Sequence, residues 1–154
     1  MPIYTEEMVN KLDSEPLFSR SLEGSEYYPG CLGLNNLKNT DYVNVLIQAF
    51  SRVKPLRDFS LFMKVSELNI ANPKHLLVVR FAELVKKMWN PKNFKGHVSP
   101  HELLQAISIT SEKRFKIGEQ KDPIQLLTWF LNTYNDHLIE SKQTGKKNMI
   151  EKTF

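Results

Sequence analysis

The chain has 154 residues, 41% of them hydrophobic, 25% charged and 10% aromatic, the composition of one ordinary domain with room for a single core. Lysine plus arginine is 21 against 17 for aspartate plus glutamate, and the net charge of +4 permits an acidic partner or nucleic acid without demanding one. The single cysteine, Cys31, excludes an internal disulfide and a cysteine-rich zinc site, and the longest aliphatic run, Leu76 to Val79, is far too short to span a membrane.

At the N-terminus, Thr5 precedes Glu6 and Glu7, a hydroxyl cap followed by acidic residues that suit the positive end of a helix dipole, which predicts a short helix. Met1 to Met8 has no basic, apolar leader, so a soluble intracellular protein is expected. Residues 13–30 are polar and contain Pro16, Gly24, Pro29 and Gly30, an extended connection. Tyr42, Val45, Leu46, Ala49 and Phe50 then recur at helical spacing, predicting a helix from near Thr40 with those residues inward. Pro55 can open a short helix anchored by Leu56, Phe59 and Leu61.

The longest regular pattern follows. Leu76, Leu77, Arg80, Phe81, Leu84, Val85, Met88 and Trp89 keep helical spacing until Asn90-Pro91 ends it. Ser99-Pro100-His101-Glu102 has the form of a capping box with proline at the first helical position, opening a helix through Leu103, Leu104 and Ile107. Asp122-Pro123-Ile124-Gln125 repeats that design, with Leu126, Leu127, Phe130, Leu131, Tyr134 and Leu138 as the inner face. Beyond His137 the chain turns basic at Lys142, Lys146 and Lys147, and Met149-Ile150 reads as the start of a strand. The expectation is a mostly α chain in three parts: an N-terminal helix and lead-in over 1–30, a helical body over 31–140, and a basic linker with a first strand over 141–154.

Simple chemistries are poorly supported. His75, His97, His101 and His137 form no HExxH pair; His97 and His101 are four apart, but Pro100 lies between them, and a surface or capping role fits both better than metal binding. Cys31 has no helix start or fixed cation beside it in sequence, so a loop thiol outweighs a nucleophile. Lys86, Lys87, Lys92 and Lys95, and then Lys113, Arg114 and Lys116, form basic clusters. Solvated helix faces explain them without RNA, although direct RNA contact stays open. Trp89 and Trp129 fall on apolar helical faces and read as core.

One stretch is not generic. Gly33-Leu34-Asn35-Asn36-Leu37-Lys38-Asn39-Thr40-Asp41-Tyr42-Val43-Asn44-Val45-Leu46-Ile47-Gln48 resembles the cysteine box of the ubiquitin-specific protease family, G-L-x-N-L-G-N-T-C-Y-M-N-S-x-L-Q. Gln120 and Asp122 are similar to the start of that family's Q-Q-D-A-x-E-F-L helix, with Gln125 at the glutamate position. The resemblance implies the helical thumb of a papain-like peptidase fold, truncated before palm and fingers. It also implies a loop that delivers the nucleophile to a helix N-terminus, where dipole and free N–H groups favour a thiolate. Asn36 matches the side-chain donor to the oxyanion.

The cysteine position holds Asp41, Lys38 replaces the box glycine, Val45 replaces the serine, and the family's histidine box lies downstream of this chain's last residue. Tyr28 to Asn36, Val53 to Arg57, Trp89 to Lys95 and His97 to Glu102 resemble the family's catalytically inactive, tri-snRNP-associated spliceosomal branch. That resemblance implies a non-enzymatic nuclear factor in pre-mRNA splicing that acts through tri-snRNP proteins and needs no cofactor. Ubiquitin recognition by the branch's zinc finger is not inherited with one cysteine. Trp89, Asn90, Phe94 and His101 are candidate contact residues, with core filling as the alternative for Trp89 and Phe94. The rival from the enzyme class is a divergent deubiquitinating cysteine hydrolase.

Overall fold

The computed structural model describes residues 3–14, 18–63, 70–141 and 149–154. Helix α1 spans Glu6–Ser14, with the Thr5 hydroxyl accepting the Met8 N–H at 3.3 Å. Two short strands, β1 (Ser19–Arg20) and β2 (Glu26–Tyr27), pair antiparallel. Strand β3 (Gly33–Leu34) leads into α2 (Asp41–Phe50), then α3 (Lys54–Phe62) and α4 (Pro73–Trp89). Strand β4 (His97–Val98) precedes α5 (His101–Thr110), α6 (Pro123–Ser141) and α7 (Met149–Thr153).

Helix α4 is the axis of the bundle, packed against α3, α5 and α6. Its central residues are buried nearly all round, from Leu77, Val78 and Val79 through Phe81, Ala82 and Val85 to Met88, as a helix enclosed by neighbours requires. The Asn72 side chain caps it by accepting from Lys74 N at 3.0 Å, and Asn90 ends it in extended geometry. Helix α6 presents Leu126, Phe130, Tyr134 and Leu138 to the core, where Phe50, Phe81, Phe130 and Tyr134 stack or meet edge to face.

Four expectations are corrected. Val45 and Ala49 of α2 do not belong to the buried face, which consists of Tyr42, Val43, Ile47 and Phe50. Because α2 is apolar on more than one side, spacing alone admits two faces, and packing against α6 selects between them. The capping box before α5 does not form: Pro100 occupies the N-cap without a side-chain bond, and Glu102 turns toward Arg80 at 3.7 Å and Lys87 at 3.8 Å. At Asp122 the same design does cap, its carboxylate accepting Ile124 N at 2.9 Å. Met149-Ile150 opens a helix rather than a strand, with Ile150 buried and Phe154 edge-on to Phe50 at 6.3 Å. Lys142, Lys146 and Lys147 lie outside the described residues. Lys86 is buried: its ammonium donates to the Met63 carbonyl and its own carbonyl accepts the Tyr4 hydroxyl at 2.8 Å, so it belongs to no solvated basic face.

The N-terminal segment is tied down by charge and by Trp89. Arg57 of α3, buried, makes a forked pair with Asp13 of α1 at 2.7 and 2.8 Å, and its guanidinium lies over the Trp89 ring at 4.6 Å. The indole N–H donates to the Ser51 carbonyl at 3.0 Å. Gly30, at φ +84°, passes so close that a Cβ there would sit 2.6 Å from the ring. Gly30→Ala is therefore expected to lower stability by about 2 kcal/mol or more in chemical denaturation, from a clash and a disfavoured φ together.

The Asp13 carboxyl is held well below the ordinary value of 3.8, first by its hydrogen bond to Arg57 and then by Lys54. A depressed carboxylate stabilises the fold fully above its unfolded pKa and loses that contribution as acid protonates it. Asp13→Asn should lower the melting temperature by a constant amount above about pH 5, and the gap to the parent should narrow progressively below about pH 4.

Candidate functional site

The site is the loop that carries residues 33–40 into the N-terminus of α2. Its lead-in is fixed from both ends. Strand β3 pairs parallel with β4, the Gly33 N–H donating to Gly96 O and the Asn35 N–H to Val98 O, each at 3.0 Å. From α2 itself, the Gln48 amide reaches back to Leu32 O at 2.8 Å and the Asn44 amide to Asn35 O at 3.1 Å. The helix thus holds the strand that feeds it.

Within the loop, the Asn36 side-chain oxygen accepts from Thr40 N at 3.2 Å, the Thr40 hydroxyl at 3.1 Å and Lys38 N at 3.2 Å. The Thr40 oxygen in turn accepts the Leu37 N–H at 3.0 Å. Asn36 and buried Thr40 therefore close the turn on itself. Asn39 braces it externally, donating its amide to Gly118 O at 3.2 Å, while Gly118 N donates to Lys38 O at 3.0 Å. These bonds hold Lys38 at φ 137° and Asn39 at φ 49°. Asparagine tolerates the left-handed region; lysine in that conformation is strained.

Asp41 begins α2 with its side chain exposed, at the end where free N–H groups concentrate partial positive charge. Gln120, in the loop before α6, donates to its carboxylate at 3.5 Å. Beside it, burial and then the charges of Glu119 and Asp41 push the Tyr42 phenol up, so it stays neutral at the carboxylate's shoulder. The arrangement holds one fixed anion at a helix start. It supplies no sulfur, and a carboxylate attacking an amide would have to form an anhydride.

The remaining candidate residues disperse. Trp89 is buried and serves the core rather than a contact surface. Asn90 uses its side-chain oxygen to accept Lys92 N at 3.0 Å. Phe94 is half exposed at φ 57°, its backbone held by Tyr27 Oη and Leu22 N, and His101 is exposed at the start of α5. His75 and His137 meet edge to face at 4.6 Å, away in sequence from the box. Among the described residues no group of three or more His, Cys, Asp or Glu could hold a metal, and no helix is long and apolar enough to cross a membrane. Sequence reasoning missed Arg52, which turns back from beyond α2 to lie 3.0 Å from the Cys31 sulfur and 3.1 Å from Gly30 O. Twenty-one residues separate the two, and no local pattern signals the approach.

With the loop, its braces and the helix start in place, residues 32–154 match the family described as ubiquitin carboxyl-terminal hydrolase. The chain belongs to that family. It is 43% identical over 160 residues to ubiquitin carboxyl-terminal hydrolase 39 of Homo sapiens, covering 99% of this chain and 27% of that protein. It is 44% identical over 151 residues to the probable mRNA-splicing protein ubp10 of Schizosaccharomyces pombe, covering 98% and 28%. Its structure is similar to an essential yeast splicing factor, with TM-score 0.69 and 25% identity over 91% of this chain and 33% of that one. The chain spans just over a quarter of the length of these curated relatives.

The strain at position 38 can be measured directly. Lys38→Gly relieves φ 137° without touching the backbone bonds to Gly118, and it should raise stability by about 1 kcal/mol in urea titration. An unchanged or lower midpoint would mean that the extra unfolded-state entropy of glycine, with the lost packing of the lysine stem near Gly118, outweighs the strain.

Proposed function

We propose that this chain serves pre-mRNA splicing as a non-enzymatic, protease-shaped docking element in tri-snRNP and spliceosome assembly in the nucleus. The observation that carries this reading is the carboxylate at position 41, at the head of a helix braced as a nucleophile's helix would be. The preserved loop and the replaced nucleophile separate shape from hydrolysis, because a catalytic unit missing its nucleophile loses nearly all its rate. Likeness over almost the whole chain to a probable mRNA-splicing protein and to a splicing factor supports the choice of process. Membership of a hydrolase family is not an argument for hydrolysis, since activity resides in the site and not in the fold.

The enzyme-class rival, a divergent deubiquitinase completed by a second chain carrying the histidine box, retains one point in its favour: Cys31 is exposed and beside Arg52. Two measurements decide between the readings. A ubiquitin-based probe that captures nucleophilic cysteines is expected to leave the chain unlabelled, while immobilised tri-snRNP proteins are expected to retain it. Labelling at Cys31, or release of a fluorophore from a ubiquitin conjugate that Asp41→Asn abolishes, would overturn the proposal. So would failure of the folded chain to bind any tri-snRNP protein.

A further inference from the structure

The loop that joins α4 to β4, residues 90–96, carries Lys92, Phe94 and Lys95 and no acidic residue. Phe94 sits at φ 57°, a region that a bulky aromatic residue rarely occupies. Two bonds from the N-terminal hairpin hold it there: the Tyr27 hydroxyl accepts its N–H at 3.1 Å, and its carbonyl accepts the Leu22 N–H at 2.9 Å. Backbone strain of this kind persists only where the surroundings over-determine it. It does not serve the core here, because the side chain it positions is 50% exposed.

The hairpin that holds Phe94 adds exposed apolar surface of its own. Leu22, at its tip, is 83% exposed, and at its base Phe18 and Tyr28, both exposed, stack on each other at 4.0 Å. Among the described residues no ring or guanidinium covers Phe94, and Lys92 and Lys95, both exposed, have no ion-pair partner. Both lysines lie within two residues of Phe94, so the chain itself sets their charge beside the ring. Of the hairpin's two acids, Glu26 is tied to Arg20 at 3.1 Å, leaving Glu23. Glu102, at the start of α5, is engaged by Arg80 and Lys87.

We infer that the 90–96 loop binds single-stranded nucleic acid, with one base stacked on Phe94 and the flanking phosphates paired with Lys92 and Lys95. An exposed aromatic ring beside cations on the same loop suits a single strand, because every base has a π-face and every linkage carries a negative charge. Leu22 extends the platform, and Phe18 with Tyr28 offers a second one on the hairpin. A duplex fits less well, since its bases are already stacked on one another. An acidic aliphatic peptide shares the charge but has no flat face to lay on the ring. The contact goes beyond the docking reading above and does not rest on it, so either can fail while the other stands.

Fluorescence polarisation with the whole chain at low salt tests it, using labelled oligouridylate, oligodeoxythymidylate, a short RNA duplex and a peptide of alternating glutamate and leucine. Both single strands are expected to bind, within about threefold of each other and at least about tenfold more tightly than the duplex or the peptide. With two phosphates engaged, the logarithm of affinity should fall against that of salt with a slope of about −1.4. Phe94→Ala should weaken binding by about tenfold at an unchanged slope. Lys92→Glu and Lys95→Glu should each weaken it and flatten the slope, whereas Lys113→Glu, in the basic cluster before α6, should leave it unchanged. Helical circular dichroism should be the same for all four variants. Failure of either single strand to bind, preference for the duplex or the peptide, indifference to Phe94→Ala and both loop lysine variants, or loss of binding through Lys113→Glu would each overturn the inference.

Discussion

Trp89 is the residue on which the architecture closes. It stands at the last turn of the central helix, where its indole N–H satisfies the carbonyl of Ser51 just beyond α2. One side of the ring admits Gly30 at a distance no side chain could share, and the ring also carries the Arg57 guanidinium. Through Arg57 the first helix is anchored by Asp13, and through Gly30 the lead-in to the box is set. One aromatic side chain therefore ties α1, the 28–33 segment, α2 and α3 to α4. A buried guanidinium is tolerable there because it is paired with carboxylates and lies on a π face, so its charge is not left unsolvated.

From that anchorage the box inherits its shape. Gln48 and Asn44 clamp the incoming strand, β4 pairs with it, and Asn36 with Thr40 folds the turn into the helix start. Each bond uses an amide or hydroxyl to satisfy backbone groups that a tight turn would otherwise leave unpaired. The turn is thus closed by side chains other than that of Asp41. A carboxylate at position 41 is electrostatically at ease with the helix dipole and accepts from Gln120. The strain at Lys38 points the same way, since the backbone holds a conformation suited to glycine while the residue is lysine.

Much of the fold was legible because long helices announce themselves. Seventeen residues of α4 and nineteen of α6 average out local ambiguity, and Asp122 marks the start of α6 by plain capping chemistry. The short elements resisted. Ten residues of α2 with apolar side chains on several sides do not specify a face, and two-residue strands such as β3 and β4 have no period to detect. Met149-Ile150 fits a strand start as well as a helix, and packing of Ile150 into the core favours the helix. Ser99 to Glu102 has the letters of a capping box, yet Glu102 finds Arg80 and Lys87 instead.

The sequence by itself determined the helical class, the register of the two long core helices, the kinship of residues 33–48, and the presence of a carboxylate at position 41. Those are properties of residue identity and spacing along one element. Tertiary structure decided the burial of Lys86 and Arg57, the closeness of Arg52 to Cys31, the hold of Gln120 on Asp41 and the cation layered on Phe115 beside Trp129. In most of these, residues far apart in the chain meet, joined by contacts that no local period encodes. Their energies depend on distance and on exclusion of water, and both quantities exist only once the helices have packed.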